Sequence, residues 1–293
     1  MPELPDITVY REALARFVVG RVLRRVHLSN PFVLRSVDPP LTAFDNSTVV
    51  DIERLGKRLV LVVENERFLV IHLMIAGRLR WLAQGKKPPG RISLVQFQFD
   101  HGAVVLTEAG TTRRASLAAV HGRAPLAAMD RGGLDVFASS DDALVDRLRS
   151  ENHTLKRALT DPRLLDGIGN SYSDEILHAA RLSPLLLTAK LDDESYARLI
   201  AAIRRTLTTW TQRLRTEVGD GWPETVTAFR PEMAVHGRFG MPCPVCGAPV
   251  QRIRYAENET NYCARCQSNG RLLADRAMSR LLRTDWPRSL DEL

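Results

Sequence analysis

The feature that most restricts the fold of this chain is a group of four cysteines towards its C-terminal end. Cys243 and Cys246 form one C-x-x-C pair, Cys263 and Cys266 form a second, and sixteen residues separate the two pairs. Four thiolates at this spacing are typical of a tetrahedral zinc site on a β-hairpin ribbon. Because cysteine fills all four positions, none is left for water, and we predict a structural zinc ion in a ribbon over residues 236–268.

Composition indicates a globular protein with a polyanionic partner. The length of 293 residues suggests two domains with a small appendage, and 44% hydrophobic residues suffice for real cores. The formal net charge of +7 favours nucleic acid over membrane as the partner, although a solvated basic surface with no partner would give the same charge. Neither a bilayer-length apolar run nor a basic-then-apolar leader is found, so we expect a cytoplasmic protein without a membrane partner.

The pattern of the N-terminal part predicts one helix followed by strands. Pro5 and Asp6 open a helix whose apolar residues recur at spacings of three and four, and Gly20 ends it. Short apolar and alternating runs follow, among them Phe68 to Ile75, with Gly/Pro/Asn/Asp clusters between them. Several strands without an intervening helical pattern predict a sandwich or barrel of antiparallel strands. We assign this β-sandwich and its flanking helix to residues 1–125.

The second part of the chain changes to a helical pattern. Arg131-Gly132-Gly133 has the composition of a hinge or linker. Ser139-Ser140-Asp141-Asp142 offers capping oxygens and early acidic residues for a helix start. We predict a helical domain over residues 135–235, which makes the fold class α+β. The predicted helices cover about 141–150, 153–160, 171–181 and 192–214.

The first six residues, Met1-Pro2-Glu3-Leu4-Pro5-Asp6, carry a second chemical signal. If Met1 is removed, Pro2 carries a free secondary amine, and an α-amino group with a pKa near ~8 is roughly one-tenth unprotonated at neutral pH. Its attack on a sugar or aldehyde carbon gives an iminium, which is an electron sink. Glu3 could move protons at the same centre. The plainer interpretation, a leader whose Pro5 starts a helix, is favoured on these residues alone.

A glycine turn, Gly167-Ile168-Gly169-Asn170, precedes the third predicted helix. Exposed backbone amides and the helix dipole make such a turn an anion site, and phosphate is the natural anion. Asn170 could donate one more hydrogen bond. A helical corner that needs glycine for steric reasons explains the turn equally well.

Three basic residues are further candidates for DNA contacts. Lys57 stands at the head of an apolar strand, where a lysine is more often solvated but could contact phosphate or shuttle protons. His72 lies in an apolar strand, where a core histidine is commoner, but it could reach a phosphate from a strand end. Lys156 precedes the glycine turn and is a solvated residue unless that turn binds DNA.

Taken together, these motifs resemble one family of DNA repair enzymes. The Pro-Glu terminus, the Gly-Ile-Gly-Asn turn and the four-cysteine ribbon, in this order, are similar to formamidopyrimidine-DNA glycosylase and endonuclease VIII. The resemblance covers roughly residues 1–268. It implies a β-sandwich, a helix–two-turn–helix domain and a zinc ribbon, with damaged DNA as the partner. It further implies an enzyme of base excision repair that removes a damaged base and nicks the strand, and we expect a monomer associated with the nucleoid.

The resemblance also implies a role for each matching residue. Pro2 would attack the sugar C1′, and Glu3 would protonate the opened sugar. Lys57 would contact phosphate and assist, Asn170 would bind phosphate at the glycine turn, and His72 would contact a neighbouring phosphate. The family extrudes the damaged nucleotide into a pocket. The remaining DNA-binding candidates are Lys156 and the two arginines that could fill the resulting gap, Arg113 and Arg114.

Two departures from the family pattern concern the chemistry. Asp6 stands where glutamate, one methylene longer, is usual. The zinc hairpin of the family carries an arginine in a Gly-Arg-x-Thr stretch, and here that stretch reads Glu257-Asn258-Glu259-Thr260. Without this arginine, the sequence does not decide whether δ-elimination occurs or how this part of the DNA is bound. Arg254 or Arg265 could substitute for the missing arginine.

Other departures concern the lesion site and the C-terminus. Ile75 stands where methionine is usual, and residues 108–114 replace an aspartate-x-arginine segment. Leu4 is like the oxidised-purine branch, whereas residues 215–230 do not resemble the lesion-recognition loop of that branch, so the lesion preference stays open. Residues 269–293 extend beyond the usual end of the family. Their pattern predicts a further helix that docks on the body, with Leu273, Ala277, Leu281 and Trp286 as its apolar residues.

Two other functions are alternatives to the enzyme. The missing hairpin arginine and the altered gap-filling residues favour a catalytically weak or inactive DNA-binding protein on the same scaffold. The intact Pro2, Glu3, Lys57 and Asn170 argue against it. A zinc-ribbon protein that binds other proteins would show no steep salt dependence of DNA affinity.

Overall fold

The structure is a computed structural model, and its described part covers residues 1–110, 112–227, 229–255, 258–274 and 287–292. It divides into two compact units. Unit 1 comprises Met1–Arg131 and Trp210–Thr227, and unit 2 comprises Gly132–Thr209 and Ala228–Leu293. No helix within the described ranges is both long and apolar enough to cross a bilayer.

Helix α1, Leu4–Val18, opens unit 1. Pro5 lies in its first turn, where the fixed φ and the missing N–H of proline fit a helix start. Ile7 and Tyr10 lie on one face and are fully buried. The helix ends before Gly20, which adopts a φ of +74°. The predicted N-terminal helix is therefore confirmed.

Two antiparallel sheets follow α1 in unit 1. The strands are β1 (Val22–Leu23), β2 (Arg25–Leu28), β3 (Ser47–Leu55), β4 (Arg58–Val63), β5 (Arg67–His72), β6 (Gly77–Ala83), β7 (Ser93–Phe99), β8 (Gly102–Glu108) and β9 (Ser116–His121). One sheet has the order β1-β3-β4-β5-β9 and the other β2-β7-β8-β6. A short helix α2, Arg123–Ala127, comes after β9.

One hydrophobic core lies between the sheets and includes the buried face of α1. Leu61 and Ile71 enter it from the five-stranded sheet, Phe97 and Val104 from the four-stranded sheet, and Tyr10 from α1. Along β7 the buried residues alternate with more exposed ones, as expected when one face of a strand packs on a core. The predicted β-sandwich is confirmed.

The turn after β5 differs from the expected strand over Phe68 to Ile75. The strand ends at His72, because Met74 adopts a φ of +51° and the Gly77 N–H donates to the Leu73 carbonyl at 2.8 Å. A Cβ on Gly77 would lie 2.3 Å from that carbonyl oxygen, so only glycine fits. Ile75 thereby lies in an exposed turn.

Unit 2 contains the predicted helices. Ser140 caps the first of them, because its Oγ accepts from the Ala143 N–H at 3.3 Å. Gly169 precedes the third helix, and the fourth continues a few residues beyond the predicted end. The helices are α3 (Asp141–Arg149), α4 (Leu155–Thr160), α5 (Asn170–Ala180) and α6 (Asp193–Val218), of which the last continues into unit 1 from Trp210.

The C-terminal part of unit 2 is an antiparallel hairpin of β10 (Gln251–Tyr255) and β11 (Asn258–Tyr262), followed by α7 (Ala264–Ser268). Residues 287–292 return to it, since the Leu290 N–H donates to the Gly270 carbonyl at 3.0 Å and Leu290 packs beside the cysteines. Of the residues that predict a further helix, Ala277, Leu281 and Trp286 lie outside the described part.

Candidate active site and metal centre

The start of α1 places two carboxylates together in unit 1. Glu3 precedes the helix and is only 1% exposed, and Pro2 is buried as well. The Glu3 N–H donates to Asp6 Oδ2 at 3.0 Å. Because the N-terminal end of a helix stabilises negative charge, this is a favourable place for both side chains. Asp6 therefore fixes the backbone of Glu3, although its side chain is shorter than the usual glutamate.

Charged groups of unit 1 act on the terminal amine. With Met1 in place, burial lowers the pKa of this amine below its usual value. The Glu3 carboxylate raises the pKa, the Arg78 guanidinium lowers it, and Asp6 and Lys57 have smaller effects of opposite sign. A lowered pKa increases the unprotonated fraction, which is the nucleophilic form.

Arg78 is a site residue that the sequence did not reveal. It follows Gly77 at the start of β6, and one more arginine in an arginine-rich chain carries no signal of its own. Only the folded structure brings it within electrostatic reach of the terminal amine.

Lys57 and His72 lie at neighbouring strand ends of the five-stranded sheet. Lys57 and Gly56 form the tight turn between β3 and β4, and Arg58 pairs directly with His72. Burial, and then the charges of Arg58 and Lys57, lower the pKa of His72 to about 4. His72 is therefore neutral at neutral pH, where it offers a hydrogen-bond donor to a phosphate but no positive charge.

The candidates for filling a gap in DNA lie in two exposed turns of unit 1. The side chain of Ile75 is 55% exposed at the turn after β5. In the loop between β8 and β9, the buried Glu108 carboxylate accepts from the Arg114 N–H at 2.9 Å and the Ala115 N–H at 3.0 Å. Arg113 is exposed and donates to the Arg91 carbonyl at 2.7 Å. Glu108 thus fixes the loop that carries both arginines.

The glycine turn of unit 2 precedes a helix as predicted, but its residues 167–169 are buried, whereas exposed backbone amides were expected. Gly167 adopts a φ of +80°, and Asn170 is the first residue of α5. The Asn170 Nδ2 donates to the Glu259 carbonyl on β11 at 2.9 Å, and the Asn170 carbonyl accepts from Lys156 Nζ at 2.7 Å. The start of α5 is therefore bonded both to the ribbon and to the helix before it.

Lys156 is not a solvated residue. Its side chain is 12% exposed, and Nζ lies 2.5 Å from Oδ1 of the fully buried Asp174. The other oxygen of Asp174 accepts from the Asn261 N–H at 3.1 Å and lies 2.8 Å from His236 Nδ1. Asp174 and His236 are further residues that the sequence did not reveal, because their partners come from four separate segments.

The hairpin carries two arginines on one face. Ile253, between them on β10, is fully buried, so alternation places Arg252 and Arg254 on the other face. Arg252 stacks on Phe239, with Cζ 4.0 Å from the ring centre. Arg254 is exposed and pairs in register with Glu259. Arg265, the other candidate to substitute for the missing hairpin arginine, donates to the Cys246 carbonyl at 3.4 Å.

The four cysteines meet in unit 2. Their Sγ atoms all lie within 4.8 Å of one another. The Sγ atoms of Cys243 and Cys266 are 3.9 Å apart, and those of Cys246 and Cys263 are 3.4 Å apart. A tetrahedral zinc ion with Zn–S bonds of about 2.3 Å requires sulfur–sulfur distances of about 3.8 Å, so the cluster fits the ion. All ligands are cysteine, which makes the site structural.

A histidine supports this metal centre. The ring nitrogen Nε2 of His178, on α5, lies 3.3 Å from Cys243 Sγ, and the side chain is buried. A donor at this distance stabilises a thiolate and orients it towards a metal. The same helix begins at Asn170, so α5 connects the glycine turn to the zinc centre.

Comparison with known proteins identifies the family. A formamidopyrimidine-DNA glycosylase N-terminal domain matches residues 1–115, a formamidopyrimidine-DNA glycosylase H2TH domain matches 135–217, and a zinc finger found in FPG and IleRS matches 240–269. The formamidopyrimidine-DNA glycosylase of Teredinibacter turnerae is 30% identical over 276 residues, which cover 92% of this chain and all of the relative. The chain belongs to the formamidopyrimidine-DNA glycosylase family.

Further comparisons agree with this family. The formamidopyrimidine-DNA glycosylase of Symbiobacterium thermophilum is 33% identical over 91% of this chain and 89% of its own length. A complex of Lactococcus lactis Fpg with DNA that contains an abasic site shares the fold with a TM-score of 0.79 and 22% identity, over 91% of this chain and 99% of that one. The family, the fold class, the zinc site and the DNA glycosylase class, all predicted from the sequence, are confirmed.

The zinc centre of this glycosylase yields a first prediction. Replacing His178 by Phe removes the donor to Cys243 and should speed zinc loss to a chelator by about tenfold, since partners of metal ligands typically contribute that much to metal affinity. A metal indicator measures the release. His178→Gln keeps a donor and should release zinc more slowly than His178→Phe, and the exposed His121→Phe is the matched control. Equal release from His178→Phe and wild type would contradict this role.

His72 yields a prediction for pH dependence. Its pKa is about 4 in the folded protein against about 6.5 when unfolded, so the unfolded chain takes up a proton first and stability falls as the pH drops through this window. Between pH 7.5 and pH 5, the free energy of unfolding of wild type should fall by about 2 kcal/mol more than that of His72→Gln.

Denaturant titrations at the two pH values measure this difference. His121→Gln, at an exposed position, should behave like wild type. An equal loss in wild type and His72→Gln would show that His72 is not held neutral.

Proposed function

We propose that this glycosylase is bifunctional: it removes a damaged base through an imine formed at Pro2 and then nicks the strand by elimination. The observation that carries the proposal is the buried start of the chain. A terminal amine of lowered pKa lies there beside the Glu3 carboxylate, and Asp6 holds the Glu3 backbone. Once Met1 is removed, the Pro2 nitrogen becomes the terminal amine at the buried start of the chain.

The chemistry follows from these groups. The unprotonated Pro2 nitrogen bonds to C1′ of the sugar as the bond from C1′ to the nucleobase breaks, and the proton that the nitrogen then loses balances the proton that the departing nucleobase takes up. Glu3 gives a proton to O4′ as the ring opens, which leaves an iminium between C1′ and the Pro2 nitrogen. The iminium acidifies the C2′ proton, so a proton acceptor can remove it, and the 3′-phosphate then leaves. Water then releases the opened sugar from the enzyme.

The remaining candidate residues hold the DNA in this proposal. Lys57 and the neutral His72 contact phosphates from the strand ends, and Asn170 binds a phosphate at the glycine turn. Arg113 or Arg114, together with Ile75, fills the gap left by the extruded nucleotide. Lys156 acts on DNA through the start of α5, because its ammonium is bonded to Asp174 and to the Asn170 carbonyl.

The protein is expected to act on DNA as a monomer at the nucleoid. Oxidised bases are the expected class of substrate. A panel of lesion oligonucleotides, each scored for base release, reports the preference directly, and the product ends report whether elimination stops after the β step.

Reductive trapping tests the proposed imine. Borohydride should link the mature protein to DNA that contains an abasic site, and peptide mapping should place the sugar on Pro2. Retention of Met1 should abolish trapping on Pro2, because the Pro2 nitrogen is then an amide. Replacing the exposed Lys190 by Ala should leave trapping unchanged.

Two outcomes separate this function from its alternative. A catalytically inactive DNA-binding protein would bind abasic DNA without a nick and without a trapped adduct. Full trapping in a form that retains Met1 would refute Pro2 as the nucleophile. Pro2→Gly does not decide the question, since glycine also supplies a terminal amine.

A further inference from the structure

One guanidinium of unit 1 joins backbone from two distant parts of the chain. Arg78 Nε donates to the Val226 carbonyl at 2.6 Å. Its Nη1 donates to the Gly77 carbonyl at 2.7 Å and to the Ile75 carbonyl at 3.2 Å. These bonds are charge-assisted, and the planar fork of arginine offers several donors in fixed directions, which lysine cannot reproduce.

The segment that contains Val226 is anchored at a second point. Trp222 is buried in the sandwich core, and its Nε1 donates to the Leu79 carbonyl at 2.9 Å. The Leu79 N–H in turn donates to the Tyr10 hydroxyl at 3.3 Å. Two consecutive residues of β6, Arg78 and Leu79, therefore hold residues 222–226 against this strand.

The same guanidinium acts on the terminal amine, which with Met1 in place is that of Met1. It is one of the charges that shift the pKa of the terminal amine, in the direction that favours the unprotonated form. Arg78 thus touches the exposed Ile75 turn and segment 222–226 and also lies within electrostatic reach of the start of the chain.

We propose that Arg78 is a positioning residue of the active site, which fixes the Ile75 turn and segment 222–226 beside the terminal amine before DNA arrives. This inference rests on the proposed function, because it gives the amine its chemical role. It makes segment 222–226 a preformed wall along Arg78 and Leu79.

Three variants separate the charge of Arg78 from its geometry. Arg78→Gln removes the charge and the fork, and Arg78→Lys keeps the charge but loses the fork. Arg80→Gln is the matched control, because Arg80 lies two residues further on the same strand, is exposed and carries the same charge. Circular dichroism and zinc content show that each variant is folded.

The first measurement is the pH dependence of borohydride trapping on abasic-site DNA. Loss of a nearby positive charge raises the pKa of the amine, so the midpoint for Arg78→Gln should move up by about half a pH unit. Below the midpoint this shift is about a threefold loss of trapping rate. Arg78→Lys and Arg80→Gln should keep the wild-type midpoint.

The second measurement is cleavage after the exposed Glu224 by a glutamate-specific protease, without DNA. Arg78→Gln and Arg78→Lys should both be cut severalfold faster than wild type, because the bond to Val226 is lost or weakened. Arg80→Gln should be cut at the wild-type rate. This measurement does not depend on catalysis.

The outcomes distinguish this inference from the proposed function. If wild type is not trapped, the imine chemistry is wrong, and the protease result still decides whether Arg78 fixes the segment. If wild type is trapped and Arg78→Gln matches Arg80→Gln in both measurements, the role of Arg78 is refuted. A shifted midpoint with unchanged cleavage also refutes positioning, because the charge alone would then act.

Discussion

Burial of the first helix is the constraint on which the proposed chemistry depends. A chain terminus normally frays, and a frayed amine cannot be aimed at a sugar carbon. Here α1 packs its apolar face into the sandwich core, so that Pro2 and Glu3 are buried at its start. The bond from the Glu3 N–H to Asp6 then closes the first turn. Packing, rather than any special residue, gives the start of the chain a fixed position, and burial lowers the pKa of the terminal amine.

A second buried polar centre organises unit 2. Isolated charges are costly in a protein interior, and Asp174 avoids that cost because Lys156, His236 and the Asn261 N–H surround it. These contacts join α4, α5 and the hairpin around the glycine turn. At the other end of α5, His178 meets a zinc ligand. Polar contacts hold the helix at both ends, and they fix the glycine turn relative to the ribbon.

Predictions that depend on neighbouring residues agreed with the structure better than predictions that depend on the folded surroundings of a residue, and the reason is physical. The cysteine ribbon and the Ser140 cap depend on residues close together in the chain, and each formed as predicted. The glycine turn also precedes its helix as predicted, but its residues are buried and not exposed. The strand expected to reach Ile75 ended at His72, because a positive φ at Met74 starts a turn that apolar character does not reveal. Lys156 was expected to be solvated if the turn bound no DNA, but its side chain is buried and pairs with the Asp174 carboxylate of the next helix.

The sequence by itself determined the α+β class and the zinc ligands, since local patterning and spacing specify both, and it marked the chain terminus and the glycine turn as candidate sites. Only the tertiary structure decided which groups surround them: Arg78 beside the terminal amine, Asp174 beneath the glycine turn and His178 against a zinc ligand. These partners are distant in the chain and have no spacing rule. Charge and hydrogen bonding act through space, so packing alone could bring them together.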